Sequence, residues 1–364
     1  MKTQYITISP TPGLRGQVFY PLTLRTAPIP PLQSHSLLIK ISAAALNHRD
    51  LFLRQHLYPG TTFGVPLLAD GAGTVVDIGP QASPGWLGKR VVIYPGAGWS
   101  WPSSLEGPED EAGYVWIIGG TKYNPAGTLS DYMVVDQGEV EPVPGHLSAL
   151  QAAALPVAGL TAWRALMVKA GVGNCRPGSQ ILVTGIGGGV ALMVLLFAVK
   201  MGARVWVTSS RREKVEEAVR LGAMGVVNYR EEKWEERILE LLPKERRVFD
   251  AVVDGAGGNI IDRAVKLLKA GGVVVIYGMT SAPSMSFPMR AVLKNLDIRG
   301  SALGSRREFA QMMDFVREKR VVPVIGRVVH GIDNLDAIEE LFDIMRSGRQ
   351  TGKLVISLDP ETKL

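Results

Sequence analysis

The sequence predicts an α/β protein of two domains, one β-rich and the other an open, doubly wound parallel sheet. Three observations lead there. The 364 residues exceed what a single hydrophobic core usually serves. From about residue 5 to 157, short alternating segments are separated by Gly and Pro, whereas beyond residue 150 strand and helix patterns alternate with fair regularity. Within the second region an apolar run at residues 180–184 enters a glycine cluster that opens a strongly apolar helix.

In the first region, residues 36–42, 72–78 and 89–94 read as strands, and residues 45–55 as a short helical stretch. Residues 96–123, rich in Gly, Pro, Trp and Glu, read as an irregular surface excursion without Cys or His. A helix over residues 148–169 is broken at Pro156. Strands then follow at 181–184, 204–208, 225–229, 250–254, 273–277 and 297–300. Helical patterns at 192–201, 212–221, 231–242, 260–268 and 289–295 connect them. Such alternation describes a parallel sheet with helical crossovers. Beyond Ser305 a helix and a strand do not extend the series and are expected to fold back on the first domain. The expected division is 1–156 completed by 305–364, and 157–304.

The 46% hydrophobic and 20% charged content is that of a globular protein. The longest apolar run, residues 190–199, is too short to span a bilayer, and no charged-then-apolar signal pattern opens the chain. A lone cysteine, Cys175, excludes internal disulfides and cysteine-rich metal sites and makes a reducing, cytoplasmic compartment the default. The formal net charge is +6, but Lys and Arg are scattered and form no basic stripe. The expectation is a solvated surface with neither a nucleic-acid nor a membrane partner.

The glycine cluster carries the chemistry. Gly185, Gly188 and Gly189, followed by Val190 and Ala191, stand between strand and helix. Glycines let the backbone approach a pyrophosphate, and the helix N-terminus offers N–H groups and partial positive charge. This context predicts a Rossmann dinucleotide-binding domain. At the end of the second strand an acidic residue would favour NAD; here stand Ser209, Ser210, Arg211 and Lys214, which can meet a 2′-phosphate. The expected cofactor is therefore NADP (NADPH), although Ser210 with exposed basic residues is also an ordinary helix start. Gly278 lies at the carboxyl end of a strand, where such sheets bind ligands.

With these residues in view, the chain resembles the medium-chain dehydrogenase/reductases over essentially its full length. The resemblance rests on Gly71-Ala72-Gly73-Thr74-Val75, Ala152-Ala153-Ala154-Leu155-Pro156, Gly159-Leu160-Thr161-Ala162, residues 184–191 and Asn228-Tyr229-Arg230. Within that superfamily it is most similar to the zinc-free quinone oxidoreductase (zeta-crystallin-like) branch, and to proteins often labelled alcohol dehydrogenase. The resemblance implies a GroES-like catalytic domain, a Rossmann domain, and commonly a homodimer or homotetramer. Where zinc alcohol dehydrogenases carry a Cys on the first helix and a Gly-His-Glu before the Gly-x-Gly strand, this chain has Asn47-His48-Arg49-Asp50 and Leu68-Ala69-Asp70. The remaining donors, His48, Asp50 and Asp70, make an incomplete ligand set, so no metal is expected.

Without a Lewis acid, hydride transfer from NADPH needs an acceptor that is already electrophilic, which points to a quinone or an α,β-unsaturated carbonyl. An enoyl reductase of a biosynthetic pathway, and a non-catalytic NADPH-binding sensor or nucleic-acid binder, are the alternatives. The resemblance implies that Asn47 and Tyr58 face the nicotinamide and donate hydrogen bonds; a helix cap and a turn residue are their plain readings. Phe52 stands where the family has a further Tyr. His48 and Asp50 would form a proton relay, although their spacing sets them on different helix faces. Thr161, Tyr229, Leu303 and Lys353 match cofactor-binding positions of the family, with Lys353 alternatively a solvated charge.

Overall fold

The computed structural model describes residues 1–97, 99, 116–280 and 284–359. Most of the excursion at 96–123 lies outside them, as do residues 281–283. In chain order the strands and α-helices are β1 (Lys2–Ile8), β2 (Leu22–Pro28), β3 (Ser36–Ala45), α1 (His48–Arg54), β4 (Asp70–Ile78), β5 (Arg90–Ile93), β6 (Gly96–Ala97), β7 (Trp116–Ile117), β8 (Tyr132–Asp136), β9 (Val140–Pro142), α2 (Ala149–Ala153) and α3 (Pro156–Arg164). Then come β10 (Gln180–Val183), α4 (Gly189–Lys200), β11 (Arg204–Thr208), α5 (Arg212–Arg220), β12 (Gly225–Val227), α6 (Trp234–Glu240), β13 (Phe249–Asp254), α7 (Ile260–Leu267), β14 (Leu268–Ile276), α8 (Met289–Leu293) and β15 (Asp297–Gly300). The series closes with α9 (Arg306–Lys319), β16 (Ile325–His330), α10 (Leu335–Arg346) and β17 (Lys353–Ser357). The chain divides into two compact units, Met1–Ala158 with Ser305–Leu364, and Gly159–Gly304. Among the described residues, no helix is long and apolar enough to cross a membrane.

The first unit is built on a mixed sheet in the order β16-β17-β3-β4-β5-β9, with β8 also paired to β3. Strand β17 joins antiparallel to β3, setting Val355 opposite Ala45, while β4 joins on the other side with Asp70 opposite the same Ala45. The ends of three strands therefore meet where the chain leaves β3 for α1. One core of this unit packs Ile6, Ile8, Leu46 and Leu51 with Ile338, Leu341 and Phe342 of α10. That packing anchors the N-terminal strands to a helix more than three hundred residues later.

The second unit is a parallel sheet in the order β12-β11-β10-β13-β14-β15. Renumbered from β10, this is 3-2-1-4-5-6, the doubly wound dinucleotide-binding order, whose switch point falls between β10 and β13. Strand β10 is buried on both faces, as a central parallel strand with helices above and below must be. Helix α4 buries most of its circumference, which explains why its sequence is apolar all round.

Several boundaries differ from the sequence reading for local reasons. The helical stretch expected from residue 45 begins only at His48, because Ala45 still pairs in the sheet and Asp50 Oδ2 accepts from the Asn47 N–H at 2.8 Å. Strand β12 stops at Val227, before Tyr229, since the Asn228 side chain accepts from the Arg230 N–H and turns the chain. Helix α6 starts at Trp234, after Lys233 in the left-handed region. Helix α3 continues into a wider, π-type turn at Ala165–Gly171.

Glu235 at the start of α6 is fully buried, and its carboxylate meets Arg263 at 2.5 Å and Lys266 at 2.7 Å. Burial alone would raise its pKa, but the bonds from Lys266 and Arg263 outweigh that and bring it down to about 2. The native pKa lies below the unfolded one, so the stabilisation is complete above about pH 4.5 and is lost as the pH falls towards 2. Glu235→Gln should accordingly destabilise the protein by about 3 kcal/mol in urea unfolding at pH 7. The penalty should shrink as the titration is repeated at progressively lower pH; a penalty independent of pH would contradict this account.

Candidate functional site

The first group of predicted residues gathers where β3, β4 and β17 end. Lys353, the first residue of β17, is only 4% exposed. Its ammonium donates to Leu46 O, Asn47 Oδ1 and Asp70 Oδ2, each at 2.7 Å. All three protons are thus committed to protein oxygens. This corrects the reading of Lys353 as a solvated charge; a cofactor would reach its protons only by replacing one of these bonds. Asp70 is itself fully buried, and its other oxygen accepts from the Val157 N–H at 2.8 Å.

Asn47 occupies the N-cap position of α1, in a capping box with Asp50, and its side-chain oxygen also accepts from Lys353. Its Nδ2 is buried and has no hydrogen-bond partner among the described residues. Asp50, one turn in, is fully buried and bonds the Asn47 N–H and, at 3.2 Å, Arg49. No hydrogen bond joins it to His48 among the described residues. His48 is exposed, with its ring edge-on to Phe52, so the expected His48–Asp50 relay is not assembled. Their spacing of two residues on a helix turns them to different faces. Arg49, which the sequence reading passed over, is also buried. It donates to Gly119 O at 2.8 Å and lies 4.6 Å from the Tyr58 ring centre, a cation–π support for that half-buried ring.

In the second unit the glycine cluster joins β10 to α4. Gly185 and Gly187 have φ of +60° and +128°, backbone that side chains rarely adopt. The Gly185 and Ile186 N–H groups bond Thr208 at the end of β11, fixing the loop to the second strand. A Cβ on Gly185 or Gly188 would meet nothing within 4 Å, so the loop is open to a close approach there. At Gly187, in contrast, a Cβ would lie 2.4 Å from the Lys214 side chain. The missing side chain is what lets Lys214 of α5 lie across the loop. Gly189 and Val190 form the first turn of α4, whose leading N–H groups have no intrahelical acceptor.

The residues that follow β11 lie beside this loop. Ser209 is buried and its hydroxyl accepts from the Arg211 N–H, closing the turn into α5. The Ser210 hydroxyl donates to the Tyr229 hydroxyl at 3.0 Å. Arg211 lies 3.8 Å from Glu213. The Lys214 ammonium is held below its ordinary pKa by partial burial and then by the charge of Arg211. Two cations kept together in this way favour an anion beside them.

Thr161 of α3 is buried and makes no side-chain hydrogen bond among the described residues. Gly278 follows β14, and a Cβ there would press to 3.2 Å on Gly255 O. Leu303 is buried with φ of +47°, a strained backbone for a leucine. Also passed over is Asp254 at the end of β13, next to the switch point. Thr184 donates to it, as do the Ala256 and Gly257 N–H groups. An acid ending the apolar run Ala251-Val252-Val253 was its available signal. Cys175 is buried, its thiol bonded to Leu166 O and pushed up to about 12 by burial and then Asp250, which leaves it inert at neutral pH.

Comparisons with known proteins agree with this architecture. The alcohol dehydrogenase GroES-like domain model matches residues 33–145, and the zinc-binding dehydrogenase model matches residues 189–318. The chain is 49% identical to the zinc-type alcohol dehydrogenase-like protein YogA of Leptosphaeria maculans, over 97% of this chain and 99% of that one. A solved NAD-dependent alcohol dehydrogenase is 29% identical, with a TM-score of 0.84 and coverage of 98% and 99%. A crotonyl-CoA carboxylase/reductase in complex with NADP shares the fold, with a TM-score of 0.82 at 19% identity, covering 98% of this chain and 95% of that one. The chain belongs to the medium-chain dehydrogenase/reductase superfamily. It is an oxidoreductase of the alcohol dehydrogenase-like kind within it.

Burial raises the Asp50 pKa to about 6, against the opposing charge of Arg49. A carboxyl whose native pKa exceeds its unfolded value binds more protons when folded. Its contribution therefore declines as the pH rises from about 4 through 6. Asp50→Asn keeps an acceptor for the Asn47 N–H and abolishes this decline. Between pH 4 and pH 7, urea unfolding should show the wild type losing on the order of 3 kcal/mol relative to Asp50→Asn; parallel pH profiles would refute the assignment.

Proposed function

We propose that the protein is a zinc-independent, NADPH-dependent reductase that delivers hydride to a quinone or an α,β-unsaturated carbonyl. The observation that carries the reading is the Lys353 ammonium held between Asn47 and Asp70. These are the positions at which the resemblance to zinc dehydrogenases places or adjoins metal ligands. Here one ligand position is an amide, another is the methyl of Ala69, and the adjoining carboxylate is already neutralised by a cation. Zinc takes thiolate, imidazole and free carboxylate, and this donor set does not fit it. Among the described residues, no three His, Cys, Asp or Glu are grouped so as to hold a metal ion. The "zinc-type" label of the relative describes its family and not the donors present here.

The nucleotide-binding residues fit NADPH. The open glycines and the α4 N-terminus suit a pyrophosphate, and Ser210, Arg211 and Lys214 suit a 2′-phosphate through charge-assisted bonds. No carboxylate stands at the end of β11 to favour the unphosphorylated ribose. NADPH, when bound, supplies a hydride. The chain's own part is to receive the acceptor's oxygen: Asn47 Nδ2 and the Tyr58 hydroxyl are the donors proposed for the negative charge that develops there. An acceptor that delocalises that charge needs less help than a simple aldehyde, which is why quinones and enones are favoured. The proton that completes the product comes from water, since Asp50 is turned to Arg49.

The test follows reduced-nicotinamide absorbance with quinones, enones and aldehydes in parallel, with chelator and NADH as controls. Turnover of quinones or enones, indifferent to chelator and weak with NADH, is expected. Activity confined to alcohols and aldehydes and abolished by chelator would overturn the proposal. Tight NADPH binding without turnover would point instead to the sensor. Removing the two cations in Arg211→Ala/Lys214→Ala should raise the KM for NADPH by about tenfold or more and leave that for NADH nearly unchanged. An equal loss for both cofactors would refute the 2′-phosphate site.

A further inference from the structure

We propose that Lys353 is a positioning residue: it locks the Asn47 side-chain amide in one of its two orientations, so that Asn47 serves as a hydrogen-bond donor and never as an acceptor. This role deepens the function proposed above, on which the identity of the ligand rests. An amide side chain can be turned over to exchange its oxygen and nitrogen at little steric cost. An ammonium, however, has donors only. With Lys353 Nζ 2.7 Å from the Asn47 amide, the facing atom must be the oxygen, and Nδ2 is set on the other side.

Lys353 cannot turn away to release it. The ammonium is 4% exposed and its two other protons are held by Leu46 O and by the fully buried Asp70. The Asn47 backbone is held as well, since its N–H donates to Asp50 Oδ2 at 2.8 Å. What remains is a buried Nδ2 with no partner among the described residues. Leaving such a donor unmet is costly, so a ligand oxygen that meets it is strongly preferred over one that does not. The ligand chemistry is therefore an uncharged or partly anionic carbonyl-type oxygen. The acceptor substrate's carbonyl and the nicotinamide carboxamide both carry one.

The two sources and the locking itself are separated by three variants. Asn47→Asp keeps the shape and the Lys353 contact but replaces the donor with an oxygen. Asp70→Asn/Lys353→Met removes the buried pair as a neutral whole, because Lys353→Met alone would strand a buried carboxylate; Asn at 70 can still accept from the Val157 N–H. The triple variant combines them. Thermal unfolding establishes that each is folded, NADPH binding is titrated by tryptophan fluorescence, and kcat and KM are measured for the acceptor.

If the oxygen belongs to the acceptor, Asn47→Asp and Asp70→Asn/Lys353→Met each lower kcat/KM for the acceptor more than tenfold with NADPH binding within about twofold of wild type. If it belongs to the carboxamide, NADPH binding weakens more than tenfold in each instead. In both cases the triple variant is no worse than the worse of its parents, because the ion pair acts through Asn47. Losses that multiply in the triple variant, or an Asn47→Asp enzyme unchanged in both readouts, overturn the proposal. The orientation is read independently of activity from the Asn47 side-chain amide resonance. It should shift in Asp70→Asn/Lys353→Met, and an unshifted signal overturns the lock. A wild type that turns over no acceptor would sink the reductase reading while leaving this resonance, and NADPH binding, to judge Lys353.

Discussion

The catalytic unit depends on one buried ion pair. Lys353 and Asp70 lie on strands separated by β3, and the ammonium also donates to the Leu46 carbonyl and the Asn47 amide oxygen. Two opposite charges out of water are stable only if each is matched and the remaining lone pairs and protons are satisfied. Here they are: three oxygens take the three protons, and Val157 and Lys353 serve the two oxygens of Asp70. The same contact therefore ties β17 to β4 across β3 and decides which atom of Asn47 is presented.

The nucleotide-binding unit solves a different problem, the approach of backbone to a phosphate chain. Its loop is tied to β11 through Thr208, left without side chains at Gly185 and Gly188, and overlaid at Gly187 by Lys214. Nothing in it requires the ion pair of the other unit. One loop thus combines the open backbone that a dinucleotide's phosphates require with two neighbouring cations, Lys214 and Arg211.

Local pattern was enough for the fold. The strand, glycine cluster and helix around residues 180–200, and the regular alternation after them, are short-range signals that tertiary contacts did not override. The site was readable only in part. Asn47, Asp50 and Lys353 stand out by residue type and resemblance, yet their arrangement depends on a partner 283 residues from Asp70, which no window of sequence reveals. The burial of Lys353 was missed for the same reason, since a lysine next to a glycine ordinarily reads as solvated. Arg49 was passed over because an arginine on a short polar helix gives no hint that Gly119 O and the Tyr58 ring will enclose it. The boundaries that shifted did so through side chains that captured a backbone N–H, as at Asn228 and Asp50.

The discontinuity of the first unit has a consequence for how the chain comes into being. Strands β3 and β4 leave the ribosome early, but β17, which pairs with β3 at Ala43–Ala45 beyond the stretch that β8 covers, is made some three hundred residues later. Until then the Ala43–Ala45 end of the β3 edge is open and Asp70 lacks Lys353, whereas all the strands of the parallel sheet have already emerged. The nucleotide-binding unit is thus able to fold during synthesis, while its companion waits for its last strand with an unpaired edge and a buried acid in want of a cation. In that interval a nascent chain offers a natural docking place for chaperones, and one whose lifetime is set by the translation of residues 305–357.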